Sequence, residues 1–507
     1  MHKLLIANRG EIAVRIIRAA RELGLRTVAV YSTADRQALH VRLADEAYEI
    51  GPPEPTQSYL NSARLLEVAR ACKANAVHPG YGFLSENAAF ADDCTGAGLT
   101  FVGPSAQAIR QMGSKIISKE IAEQAGVPIV PSFHTTDAAH LAHEAPHVAQ
   151  RLGYPILVKA SAGGGGKGMR IVDRPADLLA ALEAGAREAY QAFGDATLLL
   201  EKYIARPRHI EIQLLCDQFG NRVHLFEREC SIQRRHQKII EETPSPVVTP
   251  ALRQRIAAAA LRLAAAVDYT SVGTVEFLLD PDGAFYFLEM NTRLQVEHPI
   301  TEMVTGVDLV HQQIRVARGE RLAFTQKQLV QRGHAIECRL YAEDPAQGFL
   351  PATGRITVLR EPSGPGRRID SGMALHDQVT PYYDPMLAKL VSYGFTRAEA
   401  TARMQALLRD YTVLGVVTNR QFLLEIISSP AFADGDNDTT FLERHMPVWH
   451  PDNTPSPEIM ALAALGELLQ RRGQLTGRPT TVAQVLNGDS VTTPWQRYDG
   501  WRLGGLV

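Results

Sequence analysis

The chain has 507 residues, more than a single ordinary hydrophobic core holds, so several domains are expected. The 53 Lys and Arg residues nearly balance the 55 Asp and Glu residues, and no basic run occurs, which argues against a nucleic-acid-binding protein. The five cysteines are scattered and odd in number, which predicts free thiols in a reducing compartment. Met1 leads directly into an apolar strand without a secretion signal, and no apolar run reaches the ~20 residues that span a bilayer. We therefore expect a cytoplasmic protein with no membrane partner.

A first sheet is predicted at the N-terminus. Residues 4–7 and 27–31 are short apolar runs typical of strands, and residues 12–23 have helical spacing and end at Gly24. This strand–helix–strand unit predicts a parallel, Rossmann-like sheet. The first turn contains Gly10 but not the other glycines of G-x-G-x-x-G, so a nicotinamide-dependent dehydrogenase is disfavoured.

One zinc-protease pattern occurs by letter, since residues 143–147 spell H-E-x-x-H. The motif binds metal only on a helix, where both histidines share a face. Pro146 lies inside the run, and we expect it to break a helix there. Zinc is therefore disfavoured, and no other histidine lies with cysteines at ligand spacing.

A glycine-rich loop lies between two predicted strands in residues 154–172. Its glycines leave the backbone free to approach phosphate oxygens, and Lys159 and Lys167 add positive charge. The Walker pattern is missing, and the segment after the loop is typical of a strand. A phosphate-binding loop is the favoured interpretation, and a flexible surface hairpin is the alternative. Residues 198–204 then predict a strand whose polar end, with Lys202, suits a purine edge.

Residues 273–280 and 284–288 predict a β-hairpin, because both are apolar runs and Pro-Asp-Gly at 281–283 separates them. Glu276 and Glu289 would then lie on neighbouring strands. Magnesium in nucleotide sites takes one or two protein carboxylates together with phosphate oxygens and waters, so this pair predicts a magnesium site. Two glutamates on a solvated hairpin face are the alternative.

Polar residues continue past the hairpin. Because side chains alternate along a strand, Glu289, Asn291 and Arg293 would share one face. Gln295 and Glu297 would join them if the chain stayed extended. Acids, amides and a guanidinium in one line suit a metal-bound polyanion beside an oxyanion, which favours a site over a solvated face.

The C-terminal part predicts a third, mixed α/β domain from residue 334 to about 449, with strands near 336–340 and 356–359. Residues 451–457 predict a linker, and Ser-Pro-Glu at 456–458 supplies the N-cap, proline and acid that start a helix ending near Arg472. Apolar residues at helical spacing predict an ordinary packed helix rather than a partner-specific surface. These residues are Ile459, Leu462, Leu465, Leu468 and Leu469.

Six further runs are distinctive in this order: IANRGEIA (6–13), HPGYGFLSEN (78–87), ECSIQRRHQK (229–238), NTRLQVEHP (291–299), ECRLYAEDP (337–345) and YDPMLAK (383–389). With the glycine loop and the acidic hairpin, they resemble biotin carboxylase, a family with the ATP-grasp fold, over about residues 1–446. The resemblance implies an α/β and α+β multidomain fold. Its parts would be a Rossmann-like N-terminal domain (1–112), an ATP-grasp domain (113–330) with a mobile lid (about 130–203), a biotin carboxylase C-terminal domain (331–449) and a short tail (450–507).

The resemblance also implies a reaction and its cofactors: ATP, Mg²⁺ or Mn²⁺, bicarbonate and biotin. ATP and bicarbonate would give carboxyphosphate and ADP, and carboxyphosphate would yield carbon dioxide, which N1 of biotin captures on a carrier protein. By resemblance, ATP would be bound by Lys115, Lys159, Gly164, Gly165, Gly166, Lys167, Glu201, Lys202, Ile204, His209, Gln233, His236, Glu276 and Glu289. The metal would be held by Glu276, Glu289 and Asn291. Bicarbonate would be held by Lys238, Arg293, Gln295 and the backbone of Val296, and biotin by Tyr81 and Arg339.

The implied catalytic residues are Glu297, Arg293, Arg339 and Lys238. Glu297 would be the general base that removes the bicarbonate proton, and a neighbouring Arg293 would keep it ionised at neutral pH. Arg339 would stabilise the enolate-like oxygen of biotin, because a guanidinium stays charged and has fixed geometry. The reaction needs no thiolate, so Cys230 is expected to pack or line a pocket.

The implied partners are a biotin carboxyl carrier protein and a carboxyltransferase subunit, in a homodimer or a larger assembly. The run near 493–503 is similar to the start of the linker domain in 3-methylcrotonyl-CoA carboxylase α subunits, but no Ala-Met-Lys-Met acceptor sequence occurs. The carrier is therefore a separate chain, or the sequence is part of a longer subunit.

The leading hypothesis is the biotin carboxylase of an acyl-CoA carboxylase acting on acetyl-, propionyl- or 3-methylcrotonyl-CoA. The alternative is the same component of a pyruvate or other 2-oxoacid carboxylase. Carbamoyl phosphate synthetases and purine-pathway ligases share the chemistry but lack the QRRHQK run in this context. A non-catalytic scaffold that binds a carboxyltransferase is disfavoured, because the implied catalytic residues are intact.

Overall fold

The computed structural model describes residues 1–134, 138–160, 169–193, 197–235, 237–451 and 454–475. The chain divides into two compact units, Met1–Trp449 and His450–Val507. Among the described helices, none has the length and apolar character needed to cross a bilayer.

The N-terminal part contains the predicted parallel sheet. Its strands are β1 (Lys3–Ile6), β2 (Arg26–Ser32), β3 (Glu46–Gly51), β4 (Ala76–His78) and β5 (Thr100–Phe101), in the order β3-β2-β1-β4-β5. The accompanying helices are α1 (Gly10–Glu22), α2 (Leu39–Leu43), α3 (Ser62–Ala71), α4 (Ala88–Gly96) and α5 (Ala106–Gly113). Leu4 and Ile6 join one apolar cluster and Leu5 joins another, so both faces of the sheet are covered, as expected for parallel strands.

After α6 (Lys115–Gln124), a small antiparallel sheet forms in the region predicted as a lid. Its elements are β6 (Ser132–His134), α7 (Ala138–Leu152), β7 (Ile156–Ala160), β8 (Arg170–Val172), α8 (Leu178–Phe193) and β9 (Leu198–Lys202), with strand order β6-β9-β7-β8. The strands on either side of the glycine loop are as predicted. This sheet and its two helices have an apolar cluster of their own.

The expectation that Pro146 breaks a helix is wrong, because α7 continues through it. Pro146 is exposed, while Ala145, Val148 and Ala149 are buried in the cluster beneath α7. Proline cannot donate a backbone hydrogen bond to the preceding turn of the helix. On the exposed side of an amphipathic helix, water can donate to the carbonyl group instead, and packing of the buried face stabilises the helix. His143 lies on the exposed side and contacts Glu144.

The largest sheet has eight antiparallel strands. The first five are β10 (Arg208–Cys216), β11 (Arg222–Arg234), β12 (Gln237–Thr243), β13 (Ser271–Leu279) and β14 (Phe285–Asn291). The helices of this part are α9 (Pro250–Ala266), α10 (His298–Thr305) and α11 (Leu309–Ala317). β13 and β14 form the predicted hairpin, with Glu276 directly opposite Glu289.

Three of the nine described strands in the predicted third domain extend the same sheet, and the other six form small two-stranded sheets. The following strands are β15 (His334–Tyr341), β16 (Glu343–Asp344), β17 (Leu350–Pro351), β18 (Gly354–Arg355), β19 (Val358–Arg360), β20 (Arg367–Ser371), β21 (Gln378–Val379), β22 (Met386–Gly394) and β23 (Thr412–Leu414). The helices are α12 (Arg397–Asp410), α13 (Arg420–Ser428), α14 (Pro430–Ala433) and α15 (Phe441–His445). The sheet order is β14-β13-β10-β11-β12-β15-β22-β20, so hydrogen bonding crosses the predicted boundary at residue 330.

The two faces of this sheet differ in character. Ile210, Ile212, Val275 and Phe277 pack in one apolar cluster with residues of α9, and Ile336, Cys338 and Leu340 pack in another with residues of α12 and α13. Because strand residues alternate, the residues between them project from the opposite face. That face carries acids, amides and cations, and α10 covers part of it.

The tail contains α16 (Pro457–Leu475), and Ser456 accepts a hydrogen bond from the backbone of Ile459 at 3.4 Å. The helix is confirmed, but its predicted packing is wrong for the described residues. The apolar side chains are 46–66% exposed. Spacing predicts an apolar face, whereas burial requires a partner surface that spacing alone does not supply.

Candidate active site

A row of charged residues crosses the polar face of the large sheet. The strand register places Arg228 opposite Glu211, Glu211 opposite Glu276, and Glu276 opposite Glu289. Residues opposite each other on antiparallel strands project from the same face. Four neighbouring strands therefore contribute to one row, of which sequence reasoning had identified only Glu276 and Glu289.

A β-bulge brings Lys238 onto this face. Ile232 pairs with Ile240 while Gln233 pairs with Lys238, so Ile239 is an extra residue in β12. An extra residue reverses the alternation of side chains. Lys238 and Glu241 consequently face the same side, although they are three positions apart in the chain.

The segment after β14 turns instead of staying extended. β14 ends at Asn291, and α10 begins at His298 with Pro299 in its first turn. The turn still directs the predicted residues to one place: Gln295 donates to Glu276 at 2.7 Å, and Arg293 donates to the side chain of Asn291 at 2.8 Å. The predicted convergence is present, but a turn into a helix produces it.

Lys238 is the centre of the site. Its ammonium group contacts Glu211 at 2.6 Å and Glu276 and Glu297 at 2.7 Å each. Burial alone would lower the pKa of Lys238, but the three carboxylates together hold this pKa well above its usual value. Lys238 is therefore a permanent cation that draws three acids to one point.

Glu297 lies between two cations. It contacts Lys238 at 2.7 Å and Arg339 at 2.9 Å, and its side chain is buried. Burial would raise the pKa of Glu297, but Lys238, Arg339 and Arg228 hold it far below the usual range. The carboxylate is ionised, as predicted, but its direct ion-pair partners are Lys238 and Arg339, whereas Arg293 pairs with Glu86 at 2.8 Å.

Arg339 is held from two sides. Its guanidinium donates to Glu241 at 2.6 Å and to Glu297 at 2.9 Å. Burial would lower the pKa of Arg339, but its acidic neighbours, Glu241 first, hold it well above the usual value. Two anchoring carboxylates fix the direction of the guanidinium plane.

The predicted metal-binding residues lie together at the end of the hairpin. Asn291 donates to Glu276 at 2.8 Å, and His209 lies 2.7 Å from the other oxygen of Glu276. Glu289 reaches solvent, yet loss of hydration on its inner side and then the charge of Glu276 raise its pKa. Two facing carboxylates, one of them destabilised by the other, fit a hard divalent cation that would neutralise both.

The residues predicted for the nucleotide form two groups. In the first, Glu201 at the end of β9 is paired with Lys159 and Lys119, and burial lowers the pKa of Lys159. Lys202 and Ile204 follow at the same strand end, and Lys115 begins α6. The second group contains His209 and Gln233, which lie 2.6 Å apart. The predicted residues Gly164, Gly165, Gly166, Lys167 and His236 lie outside the described residues.

Tyr81 and Val296 connect to a buried lysine. The Tyr81 hydroxyl donates to Glu11, and Lys389 contacts Glu11 at 3.1 Å. Lys389 also donates to the carbonyl oxygen of Val296 at 3.1 Å. Lys389 thus connects a residue predicted to bind biotin, through Glu11, with a residue predicted to bind bicarbonate.

Several residues of the site were missed by sequence reasoning. The missed residues are Glu11, Glu86, Glu211, Arg228, Glu241, Glu337 and Lys389. Glu11, Glu86, Glu337 and Lys389 lay inside the runs that carried the resemblance, where their role was not assigned. A signal for Glu211 existed: the alternation of His209-Ile-Glu211-Ile-Gln213 predicts a strand with one polar face. All five cysteines are buried and free, and Cys230 packs within the sheet as expected.

Three family models match the chain in order. They are the biotin carboxylase N-terminal domain at residues 1–109, the ATP-binding domain of the carbamoyl-phosphate synthase L chain at 114–325, and the biotin carboxylase C-terminal domain at 337–444. A biotin carboxylase from Nostoc sp. is 52% identical over 441 residues, which are 87% of this chain and 98% of that protein. The chain belongs to the biotin carboxylase family. It is therefore an ATP-dependent ligase with an ATP-grasp domain.

Two further relatives are informative about this biotin carboxylase. The mitochondrial methylcrotonoyl-CoA carboxylase subunit alpha of Mus musculus is 47% identical over 507 residues, covering 99% of this chain and 69% of that protein. The biotin carboxylase domain dimer of Hydrogenobacter thermophilus 2-oxoglutarate carboxylase was solved with MgADP, ADP and bicarbonate. It has a TM-score of 0.81 and 47% identity, covering 87% of this chain and 97% of that one.

Proposed function

We propose that this biotin carboxylase uses ATP and bicarbonate to carboxylate N1 of biotin on a carrier protein, as the first half-reaction of an acyl-CoA carboxylase. The observation that carries the proposal is the position of Glu297 between Lys238 and Arg339, beside the paired acids Glu276 and Glu289. A candidate base, cations that can bind an anion, and a pair of acids suited to a metal ion therefore lie close together.

Glu297 is the general base in this proposal. Its low pKa keeps it ionised but makes it a weak base while two cations contact it. A bicarbonate anion bound to Lys238 and Arg293 would share their positive charge and so raise the proton affinity of Glu297. Substrate binding itself would thus prepare the base.

The hairpin acids and the lysines would hold the nucleotide. Glu276, Glu289 and Asn291 would hold magnesium, which neutralises charge on the transferred phosphoryl group. Lys115 and Lys159 would contact phosphates, and Gln233 would orient His209 near the ribose. Binding of phosphates would compete for Lys159 with Glu201, its present partner.

Arg339 and Tyr81 would receive biotin. The guanidinium keeps its charge and its direction, which suits an oxyanion that develops when N1 loses its proton. The small sheet containing the glycine loop would close over the nucleotide and exclude water, since carboxyphosphate is lost by hydrolysis in open solvent.

The acceptor of the second half-reaction is proposed from the tail. Alignment with the mouse methylcrotonoyl-CoA carboxylase subunit extends over 507 residues, whereas alignment with the Nostoc biotin carboxylase covers 441. The longer similarity favours an acyl-CoA carboxylase of the methylcrotonoyl type, with a carboxyltransferase partner. A 2-oxoacid carboxylase remains the second candidate, supported by the similarity to the 2-oxoglutarate enzyme domain.

The deciding experiment measures ADP release with magnesium, bicarbonate and free biotin, and again without biotin. Release that requires biotin is the expected result. Release stimulated by ammonia instead of biotin would indicate carbamoyl phosphate chemistry, and no release under any condition would leave only the scaffold interpretation. Co-purification with a carboxyltransferase, followed by assays with each acyl-CoA and 2-oxoacid, identifies the acceptor.

A further inference from the structure

Two buried acids face each other beside the catalytic arginine. Glu241 on β12 lies directly opposite Glu337 on β15, and both side chains have no solvent exposure. Directly opposed residues on antiparallel strands have neighbouring side chains on one face of the sheet. Glu337 has no role in the chemistry proposed above, and Glu241 serves there only to anchor Arg339.

The pair has few hydrogen-bond donors. Glu241 accepts from Arg339 with one oxygen, but its other oxygen and both oxygens of Glu337 have no hydrogen-bond partner among the described residues. The other cross-strand neighbour of Glu337 is Val391, which packs with Ala335 and with Ile300 and Val304 of α10. A carboxylate beside an apolar cluster and a second carboxylate cannot keep its charge without large cost.

Two cations border the pair on the same face of the sheet. Arg339 is two residues from Glu337 on β15, and Lys389 lies opposite Arg339 on β22. Arg339 holds Glu297, and Lys389 holds the carbonyl of Val296 at 3.1 Å. The charge on the acid pair therefore acts on two cations, Arg339 and Lys389, which contact the proposed base and the backbone of the predicted bicarbonate site.

We infer that Glu241 and Glu337 hold one proton between them, and that this shared-proton pair positions Arg339 and Lys389 for the reaction. The inference rests on the proposed function, since Arg339 and Val296 have their roles there. Glu241 and Glu337 are positioning residues, because neither touches a substrate.

The protonation state depends on the charged groups that act most strongly on the pair. They are Lys238 from β12, Arg339 from β15, Lys389 from β22 and Glu297 from the turn before α10. Burial raises the pKa of Glu241 to about 7, against the lowering effect of Arg339. Burial also raises the pKa of Glu337 well above its usual value, which Lys389 only partly offsets.

A consequence follows for alkaline pH. When the shared proton is lost, the pair gains a second negative charge, which draws Arg339 toward Glu241 and away from Glu297 and biotin. Catalysis should therefore decline on the alkaline side because of the pair.

The test is the variant Glu337→Gln, assayed by biotin-dependent ADP release from pH 6 to 9. Glutamine has nearly the same shape but cannot lose a proton, so the pair cannot gain a second negative charge at any pH in this range. We expect the pH of the half-maximal alkaline decline in kcat to move up by about one unit or more, the usual scale for one strongly interacting acid. An alkaline decline at the wild-type pH would overturn the inference.

The matched control is Glu229→Gln. Glu229 is also buried, and burial raises its pKa to about 7. In the strand register it lies opposite Glu242, the residue after Glu241, so its side chain projects from the other face of the sheet. Its carboxylate accepts hydrogen bonds from Ser231 and from Ser245. We expect the pH profile of kcat to stay as in the wild type, and an equal shift in this control would refute a specific role for the pair.

An infrared measurement keeps the inference testable if Glu337→Gln does not fold. The wild-type protein at pH 7 should show the carbonyl stretch of a protonated buried carboxyl group, and Glu229→Gln should retain it. Its absence at pH 7 would overturn the inference. A wild-type protein that lacks biotin-dependent ADP release would instead refute the proposed function, so the two failures are distinguishable.

Discussion

At the scale of single residues, the site is a set of charges that compensate each other. Lys238 binds three carboxylates, and Arg228 is fully buried with five side-chain partners. Those partners are Glu211, Gln213, Thr274, Gln295 and Thr301. Groups held in this way are already oriented before substrate binds, which is the main requirement for electrostatic catalysis.

The first prediction concerns the general base. Glu297→Gln keeps the shape of the side chain but removes the proton acceptor, so biotin-dependent ADP release should fall by about 10²-fold or more. Steady-state kinetics at saturating bicarbonate measure the loss in kcat. The exposed Glu320→Gln serves as a control and should keep the wild-type rate. A rate for Glu297→Gln within a few-fold of the wild type would assign the proton transfer to another group.

The second prediction concerns the buried arginine. Arg228→Met leaves Glu211 without its guanidinium, so the free energy of unfolding should fall by about 3–5 kcal/mol, as when one partner of a buried pair is removed. Urea denaturation measures the change. The double variant R228M/E211Q should recover part of the loss, because the buried carboxylate that lost its guanidinium is then also removed. Equal stability of the single and double variants would show that packing, not charge, explains the effect.

At the scale of elements, the position of the site depends on bulges and turns. The bulge at Ile239 brings Lys238 to the polar face, and a second irregularity makes Leu288 an extra residue beside Glu289. Period-two reasoning predicts which residues share a face only while the register is unbroken. The tight turn made it predictable that Glu276 and Glu289 lie on neighbouring strands, whereas the bulge at Leu288 places them directly opposite each other.

The rest of the site could not be predicted from the alternation within single strands, because that pattern does not show which strands pair or how the loops turn. Glu211 and Glu241 lie on strands that each have a neighbour from a distant part of the chain, β13 and β15. The convergence of Gln295 and Glu297 arises from a turn that strand alternation does not predict. Long-range pairing and loop geometry thus set the partners of Glu297, whereas its identity as an acid in a polar run was visible in the sequence.

The third prediction tests a contact between elements. A Cβ atom at Gly372 would lie 2.3 Å from the backbone nitrogen of Glu11 and 2.6 Å from the carbonyl carbon of Gly10, where α1 begins. Neither backbone atom can move freely, so Gly372→Ala should lower the unfolding free energy by about 1–3 kcal/mol. Thermal denaturation detects this. Gly96→Ala, within α4 and with open space around it, should be neutral or stabilising.

At the scale of the whole molecule, buried acids make stability depend on pH. A carboxyl group with a raised pKa stabilises the folded state below its unfolded pKa of about 4.3, and this contribution is lost as pH rises through the folded value. Glu229 has a folded pKa of about 7 and lies outside the proposed site. Its contribution should therefore disappear between about pH 4.5 and 7.

The fourth prediction follows from this loss of stability with rising pH. The wild-type unfolding free energy should fall from pH 5 to pH 8 more steeply than that of Glu229→Gln, by roughly 3 kcal/mol at most for one such group. Parallel urea titrations at each pH measure the difference. Identical slopes for the two proteins would mean that Glu229 ionises at its ordinary pKa.

The last prediction concerns the two units of the chain. All described residues of the proposed site lie in Met1–Trp449, and that unit contains the three matched family domains. The Nostoc relative aligns over 98% of its own length with 441 residues of this chain, so that biotin carboxylase has almost no sequence beyond the aligned region. A chain ending at Trp449 should therefore keep biotin-dependent ADP release within about two-fold of the full chain.

Binding to a carboxyltransferase should respond differently to the same truncation. The apolar side chains of α16 are exposed in the described structure, and similarity to the methylcrotonoyl-CoA carboxylase subunit extends through this region. Exposed apolar surface of this kind marks interaction sites. Loss of co-purification together with retained ADP release would separate the two activities. Loss of ADP release in a folded truncated protein would show instead that residues 450–507 support the site.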